Sequence, residues 1–247
     1  MWDSLPIIEL RALGVDENGV QVLSCSLDRP TNTVASLHAI LSTDERERAR
    51  SYLFEKDRRR YIVRRGVLRT ILGMYLRTNP ATICFEYGAH GKPLLAREEN
   101  PCLRFSLSHS DGLALYAFSR TTALGVDIEA IRFISDIGSL VKDFFSSSEH
   151  AAYRALPAEQ RVEAFFRCWT RKEAYIKATG EGLSLPLTSI AVSLDDRAPL
   201  CSIAGDPLSA RRWSLHHLQP APRWVGAVAI QGPAQGVSCA HLDIGSP

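Results

Sequence analysis

The 247 residues carry a formal net charge of +2, with 45% hydrophobic and 23% charged composition. That balance is ordinary for a globular chain and too weak in charge for a global nucleic-acid or membrane field. The length suits one large domain or two of about 100–150 residues each, and no apolar run is long enough to cross a bilayer. The six cysteines, Cys25, Cys84, Cys102, Cys168, Cys201 and Cys239, form no C-x-x-C pair and have no zinc-finger spacing. They suit buried thiols in a reducing compartment. Met1-Trp-Asp-Ser-Leu-Pro6 lacks the basic flank and apolar core of a secretory signal, so a cytoplasmic protein is expected.

In chain order, 20–27 alternates like a strand and 33–41 has helical spacing. Ser42-Thr-Asp-Glu45 reads as a helix start, opening a basic amphipathic helix over 44–54. A longer helix is predicted over 57–77, ended by Asn79-Pro80. Between 44 and 69 there are ten Lys/Arg against five Asp/Glu, a patch suited to a compact anion. Residues 83–87 form a short strand, His90-Gly-Lys-Pro93 a turn, and 103–108 a strand ending at Ser108-His109-Ser110. The stretches 113–119 and 123–128 are predicted to pair as a hairpin. A looser region to Gly138 follows, then a capping box at Ser146-Ser-Ser-Glu149 and a helix toward Leu156. A break over 157–161 precedes a helix over 162–179, closed by Gly180. Strands are predicted over 190–194, 213–218 and 224–230, and a loose tail after Gly232. The mixture favours α+β over a doubly wound parallel sheet.

Gly125-Val-Asp-Ile-Glu129 places Asp127 and Glu129 on one face of a strand, with Val126 and Ile128 on the other. Trp169-Thr-Arg-Lys-Glu-Ala-Tyr-Ile-Lys177 places Glu173 and Lys177 one helical turn apart, with Lys172 also able to neutralise Glu173. Three carboxylates and a lysine drawn from a strand and a helix can build a magnesium site beside a phosphate. Each signal alone has a commoner explanation. Paired acids are usually a solvated strand end, Glu-x-x-x-Lys a surface pair, and a lysine in a turn such as Lys92 is usually solvated. His109 is as readily a packing residue as a functional one. Arg58, Arg59, Arg60, Arg64 and Arg65 suit a solvated basic face, of which a phosphate would need one or two. There is no G-x-S-x-G elbow that would make Ser108 or Ser110 a hydrolase nucleophile.

Together these blocks resemble the 4′-phosphopantetheinyl transferases, of the larger monomeric (surfactin-synthetase-activating) type. The resemblance covers roughly 20–230 and rests on Gly125–Glu129 and Trp169–Lys177, with the latter's continuation Gly180-Glu-Gly-Leu-Ser-Leu-Pro186. Phe105-Ser-Leu-Ser-His-Ser110 and Gly91-Lys-Pro93 also carry it. It implies an α+β pseudodimer of two similar α/β halves. Residues 1–119 would contact the coenzyme A nucleotide, and 120–247 would carry the metal site and carrier docking. The sequence itself shows no repeat. The implied reaction moves the phosphopantetheine arm of coenzyme A to a serine of an apo acyl or peptidyl carrier protein, leaving adenosine 3′,5′-bisphosphate.

By the same resemblance, Asp127, Glu129 and Glu173 hold Mg²⁺, for which Mn²⁺ could substitute. Glu173 takes the serine proton, and Lys177 stabilises the departing bisphosphate. His109 contacts the diphosphate, Ser108 and Lys92 the 3′-phosphate, which Arg48 also reaches, and Arg60 lies near the nucleotide. Glu45 stands where the family often has a cation. The carrier would dock on 133–140 with Phe144 and Phe145, unless those two phenylalanines are core. Two other classes are a catalytically silent coenzyme A or carrier-binding module and a nucleotide phosphohydrolase. Intact Asp127, Glu129, Glu173 and Lys177 argue against the first, and the lack of a water-activating His/Asp cluster against the second.

Overall fold

A computed structural model describes residues 3–6, 19–88, 91–96, 103–180, 182, 185–195, 200–233 and 236–244. Its strands are β1 (Asp3–Pro6), β2 (Val20–Ser26), β3 (Phe85–Tyr87), β4 (Pro93–Leu95), β5 (Arg104–Ser110), β6 (Leu113–Ser119), β7 (Leu124–Ala130), β8 (Ile190–Val192), β9 (Leu200–Ile203), β10 (Trp213–Leu218), β11 (Trp224–Gln231) and β12 (Val237–Asp243). Its helices are α1 (Thr31–Ala39), α2 (Thr43–Arg50), α3 (Glu55–Leu76), α4 (Ile137–Phe144), α5 (Ser147–Ala155), α6 (Ala158–Thr179) and α7 (Pro207–Ala210). Cys102, His90 and positions 181, 183 and 184 lie outside the described residues.

The repeat that the sequence hides is plain in the connectivity. In the first half the chain runs β2, α3, β5, β6, and the strands lie in the order β2-β6-β5. In the second it runs β7, α6, β10, β11, and the strands lie in the order β7-β11-β10. Both long helices have 22 residues, and each is preceded by a capping-box helix. The two halves are thus the same α/β unit used twice, with β1 and β12 added to the first sheet.

The capping-box glutamates show how alike the halves are. Glu45 closes the α2 cap on the Ser42 N–H (3.1 Å) and also accepts Arg65 Nε (2.7 Å) and Arg69 Nε (2.6 Å) from α3. Glu149 closes the α5 cap on the Ser146 N–H (2.7 Å) and pairs with Lys172 Nζ of α6 (2.5 Å). Arg69 and Lys172 are each the fifteenth residue of their helix, counting from Glu55 and Ala158. All of these groups are buried. A charge in a dry interior is tolerated when paired and hydrogen-bonded. Lys172 is therefore committed to Glu149 and to the carbonyls of Phe144 and Leu187, and does not neutralise Glu173 as the helix spacing allowed.

Strand alternation sorts side chains between three cores. Tyr116 and Phe118 of β6 face α3, whereas Leu113, Leu115 and Ala117 meet Val126 and Ile128 of β7 and Val228 and Ile230 of β11 between the halves. Val225, Ala227 and Ala229 face α6. Two consecutive strands buried on both faces cannot be ordered by hydropathy alone. The hairpin expected between 113–119 and 123–128 does not form: β6 is already paired on both edges, by β2 and β5, so β7 pairs with β11.

Three other expectations change. The tail is not loose over 237–243, where β12 runs parallel to β1 and β2 and lies between them. The break at 157–161 shrinks to Pro157, because a proline just before the first turn removes no helical hydrogen bond. The looser region ends earlier than Gly138, because helix α4 begins at Ile137 and runs on to Phe144.

Candidate active site

Where the halves meet, β5 and β7 are joined through serine side chains. Ser106, Ser108 and Ser110 share one face of β5 at period two. Ser106 Oγ accepts the Val126 N–H (3.1 Å), and Ser108 Oγ donates to Asp127 Oδ1 (2.8 Å). Ser110 Oγ donates to Glu129 Oε2 (2.8 Å) and accepts the Ala130 N–H (3.0 Å). The serines thus fix both acids of β7 along the junction.

Helix α6 reaches the same place because β7 has a glycine there. A Cβ on Gly125 would stand 2.2 Å from the Ala174 carbonyl oxygen and 2.3 Å from the Ala178 nitrogen. Only glycine permits so close a backbone approach. It brings Lys177 Nζ to 2.6 Å from Asp127 Oδ1 and 3.0 Å from Ser108 Oγ.

A cavity of about 1080 Å³ opens over this junction. Arg48, Lys92, Ser108, His109, Asp127, Glu129, Glu173 and Lys177 all line it, so the structure gathers eight of the nine expected site residues. Arg60 is not among the lining residues. Its guanidinium forks onto Asp28 (2.8 Å to each oxygen) and holds Asp111 (2.7 Å), tying the β5–β6 turn to the end of β2. Glu45, where a cation was looked for, is buried in its own ion cluster.

The acids feel one another. The Glu173 carboxyl is pushed above the ordinary range first by burial and then by Asp127, with Lys177 opposing and Glu129 adding. Asp127 Oδ2 is buried and has no hydrogen-bond partner among the described residues. As placed, no three His, Cys, Asp or Glu side chains among the described residues enclose a metal ion. The donor set nevertheless fits a hard divalent cation: three carboxylates facing one cavity, mutually repelling, with one buried oxygen unsatisfied.

Basic groups come from the other direction. Burial, then Arg64, Lys177 and Arg60, lower His109 to about 4, so it is neutral at pH 7. Lys92 is lowered to about 8 by burial, Arg104 and Lys177, and donates hydrogen bonds to the carbonyls of Lys177 (2.6 Å) and Leu124 (3.3 Å). Arg64, Arg65, Tyr61 and Tyr87 line the cavity without having been assigned a site role from the sequence. The basic run was visible, but which arginine faces the cavity depends on tertiary partners. Phe145 is buried on Phe165 and Phe144 meets Trp169 edge-on, which makes both part of the second core, while Phe133 is 85% exposed.

Comparison with known proteins gives the family. Residues 123–229 match the family model of the 4′-phosphopantetheinyl transferase superfamily, and residues 29–121 match that of the 4′-phosphopantetheinyl transferase N-terminal region. The chain is 43% identical over 207 residues to 4′-phosphopantetheinyl transferase HetI of Nostoc, covering 83% of this chain and 85% of that protein. It is 30% identical over 179 residues to a 4′-phosphopantetheinyl transferase of Bacillus subtilis, covering 72% and 78%. Against 4′-phosphopantetheinyl transferase Sfp of Bacillus subtilis it is 28% identical over 177 residues, covering 71% and 77%. The chain belongs to the 4′-phosphopantetheinyl transferase family.

Proposed function

We propose that this protein transfers the 4′-phosphopantetheine arm of coenzyme A to a serine of an apo acyl or peptidyl carrier protein, giving the holo carrier and adenosine 3′,5′-bisphosphate. One observation carries the reading: Asp127, Glu129, Glu173 and Lys177 converge on a single cavity between two halves of one fold. The division of labour assigns residues 1–119 to the nucleotide and 120–247 to the acids and the carrier.

Asp127, Glu129 and Glu173 would hold Mg²⁺, or Mn²⁺, which share the preference for carboxylate oxygen. When bound, the cation supplies charge neutralisation at the diphosphate oxygens. Glu173, made more basic by burial and its acidic neighbours, accepts the proton of the carrier's serine hydroxyl. The serine oxygen forms the new bond to the phosphorus nearer the pantetheine, and the bond from that phosphorus to the bridging oxygen breaks. The electron pair leaves with the adenosine 3′,5′-bisphosphate. Lys177, 2.6 Å from Asp127 and partly open to the cavity, meets the charge that develops on the leaving oxygen. His109 donates to the diphosphate, and Trp169 and Ile176 keep that wall apolar.

The carrier protein's face is proposed around Phe133 and its neighbour Arg132, both exposed and just beyond Glu129. An apolar residue beside a cation suits an acidic helical partner. No helix among the described residues is long and apolar enough to cross a membrane, and a cytoplasmic monomer is the proposed working state. The silent-module alternative is not favoured.

Fatty-acid, polyketide, nonribosomal-peptide and aminoadipate apo carriers, incubated with protein, coenzyme A and Mg²⁺, test the proposal by intact-mass spectrometry. A gain of about 340 Da on at least one carrier is expected. No adduct on any of them would contradict the transferase reading.

A further inference from the structure

The arginines of α3 divide by partner. Arg58 pairs with Glu55, and Arg59 donates to the Arg29 carbonyl (2.9 Å). Arg60 holds Asp28 and Asp111, while Arg65 and Arg69 hold Glu45. Arg59 and Arg64 have no carboxylate paired with them among the described residues, and of these two Arg64 lines the cavity. Its guanidinium lies over the Tyr61 ring (5.4 Å), and its Nη1 stands 2.7 Å from His109 Nδ1. Its Nε is buried without a hydrogen-bond partner. A partly desolvated guanidinium with no counter-charge is costly unless a ligand supplies one.

Two of the groups that the family resemblance assigns to the 3′-phosphate, Ser108 and Lys92, are already engaged. Ser108 donates a hydrogen bond to Asp127, and Lys92 donates hydrogen bonds to the Lys177 and Leu124 carbonyls. The acids and Lys177 form the centre proposed for the diphosphate, on β7 and α6. On the α2–α3 side, Arg48 and Arg64 are the lining cations without a carboxylate partner among the described residues.

We infer that Arg64 is a phosphate-binding residue of this cavity, taking the terminal phosphate monoester at the nucleotide end of coenzyme A, with His109 beside it. This rests on the transferase reading of the same cavity. A planar guanidinium matches a phosphate through two parallel N–H donors, stronger than neutral hydrogen bonds.

The test compares wild type, Arg64→Met and Arg64→Lys in holo-carrier formation with coenzyme A and with dephospho-coenzyme A. In parallel, calorimetry follows the binding of adenosine 3′,5′-bisphosphate and of 5′-AMP. Arg64→Met should raise the KM for coenzyme A about 10- to 100-fold, move that for dephospho-coenzyme A less than about twofold, and leave kcat at saturating coenzyme A intact. Arg64→Lys, which keeps the charge without the fork, should fall between. The bisphosphate should lose its advantage over 5′-AMP in Arg64→Met. Equal effects on both coenzymes, or unchanged bisphosphate binding in Arg64→Met, would overturn the assignment. If wild type transfers nothing but the bisphosphate preference still depends on Arg64, the transferase reading fails and the phosphate site stands.

Discussion

Glu45 and Arg64 lie on opposite sides of a distinction that charge counting misses. Both belong to the basic stretch 44–69, yet one is a buried acid that binds two arginines and the other a cation with no acid paired to it among the described residues. A local excess of positive charge therefore says little about which cations are available; the ion pairs decide that. Glu45→Ala should cost about 3–5 kcal/mol, because Arg65 and Arg69 are left buried and unpaired while the α2 capping box is also lost. Urea denaturation measures this; a loss below about 1 kcal/mol would mean that water or another acid replaces the carboxylate. Spacing showed that Asp127 and Glu129 share a strand face and Glu173 and Lys177 a helix face; that the four belong to one site came from the family resemblance, and they do line one cavity. The fate of Arg60 was not legible, since its partners Asp28 and Asp111 are far from it in sequence.

At the scale of elements, β7 and α6 build the acidic side of the site, and Gly125 sets their separation. Gly125→Ala would drive a Cβ into the backbone of α6 at Ala174 and Ala178. Such overpacking typically costs about 1–3 kcal/mol, and the helix must move to relieve it. Lys177 then leaves Asp127 and Ser108, so transfer should fall much more than stability does. Paired thermal melts and transfer rates check this, and a variant with wild-type rates would show that the close approach is dispensable. Most elements were readable: the capping boxes at Ser42 and Ser146 mark α2 and α5, and apolar periodicity marks α3 and α6. Strand β12 was hidden by its Gly/Pro surroundings and its short polar pattern. Strand partners of β6 and β7 were unreadable because both faces of each are buried, which removes the period-two signal that assigns a core face.

The whole molecule is one α/β unit used twice, with equal helices and equivalent buried glutamates but a single acidic centre. Positions of β2 that match Asp127 and Glu129 in strand order are Leu23 and Cys25, which are packed in the first core. At these two positions the first half is apolar while the second carries the acids, and the cavity lies where the halves join. The sequence did not show the repeat because buried chemistry, Arg against Lys and Leu against Asp, differs between halves whose backbones correspond.

The central claim is that the three acids are a group-transfer centre and not a structural ion cluster. Glu173→Gln tests it most directly, by the rate of holo-carrier formation measured with the thermal melt of the same sample. Because the Glu173 carboxyl titrates above its ordinary range in the folded protein, its ionised form opposes folding, and stability is lost as pH rises through that elevated range. Removing the charge without divalent cation at pH 7 should leave the melt unchanged or higher. Transfer should fall at least 100-fold, on the order of the loss of a general base. A variant that transfers at the wild-type rate, or one that loses its fold in step with its activity, would contradict the claim.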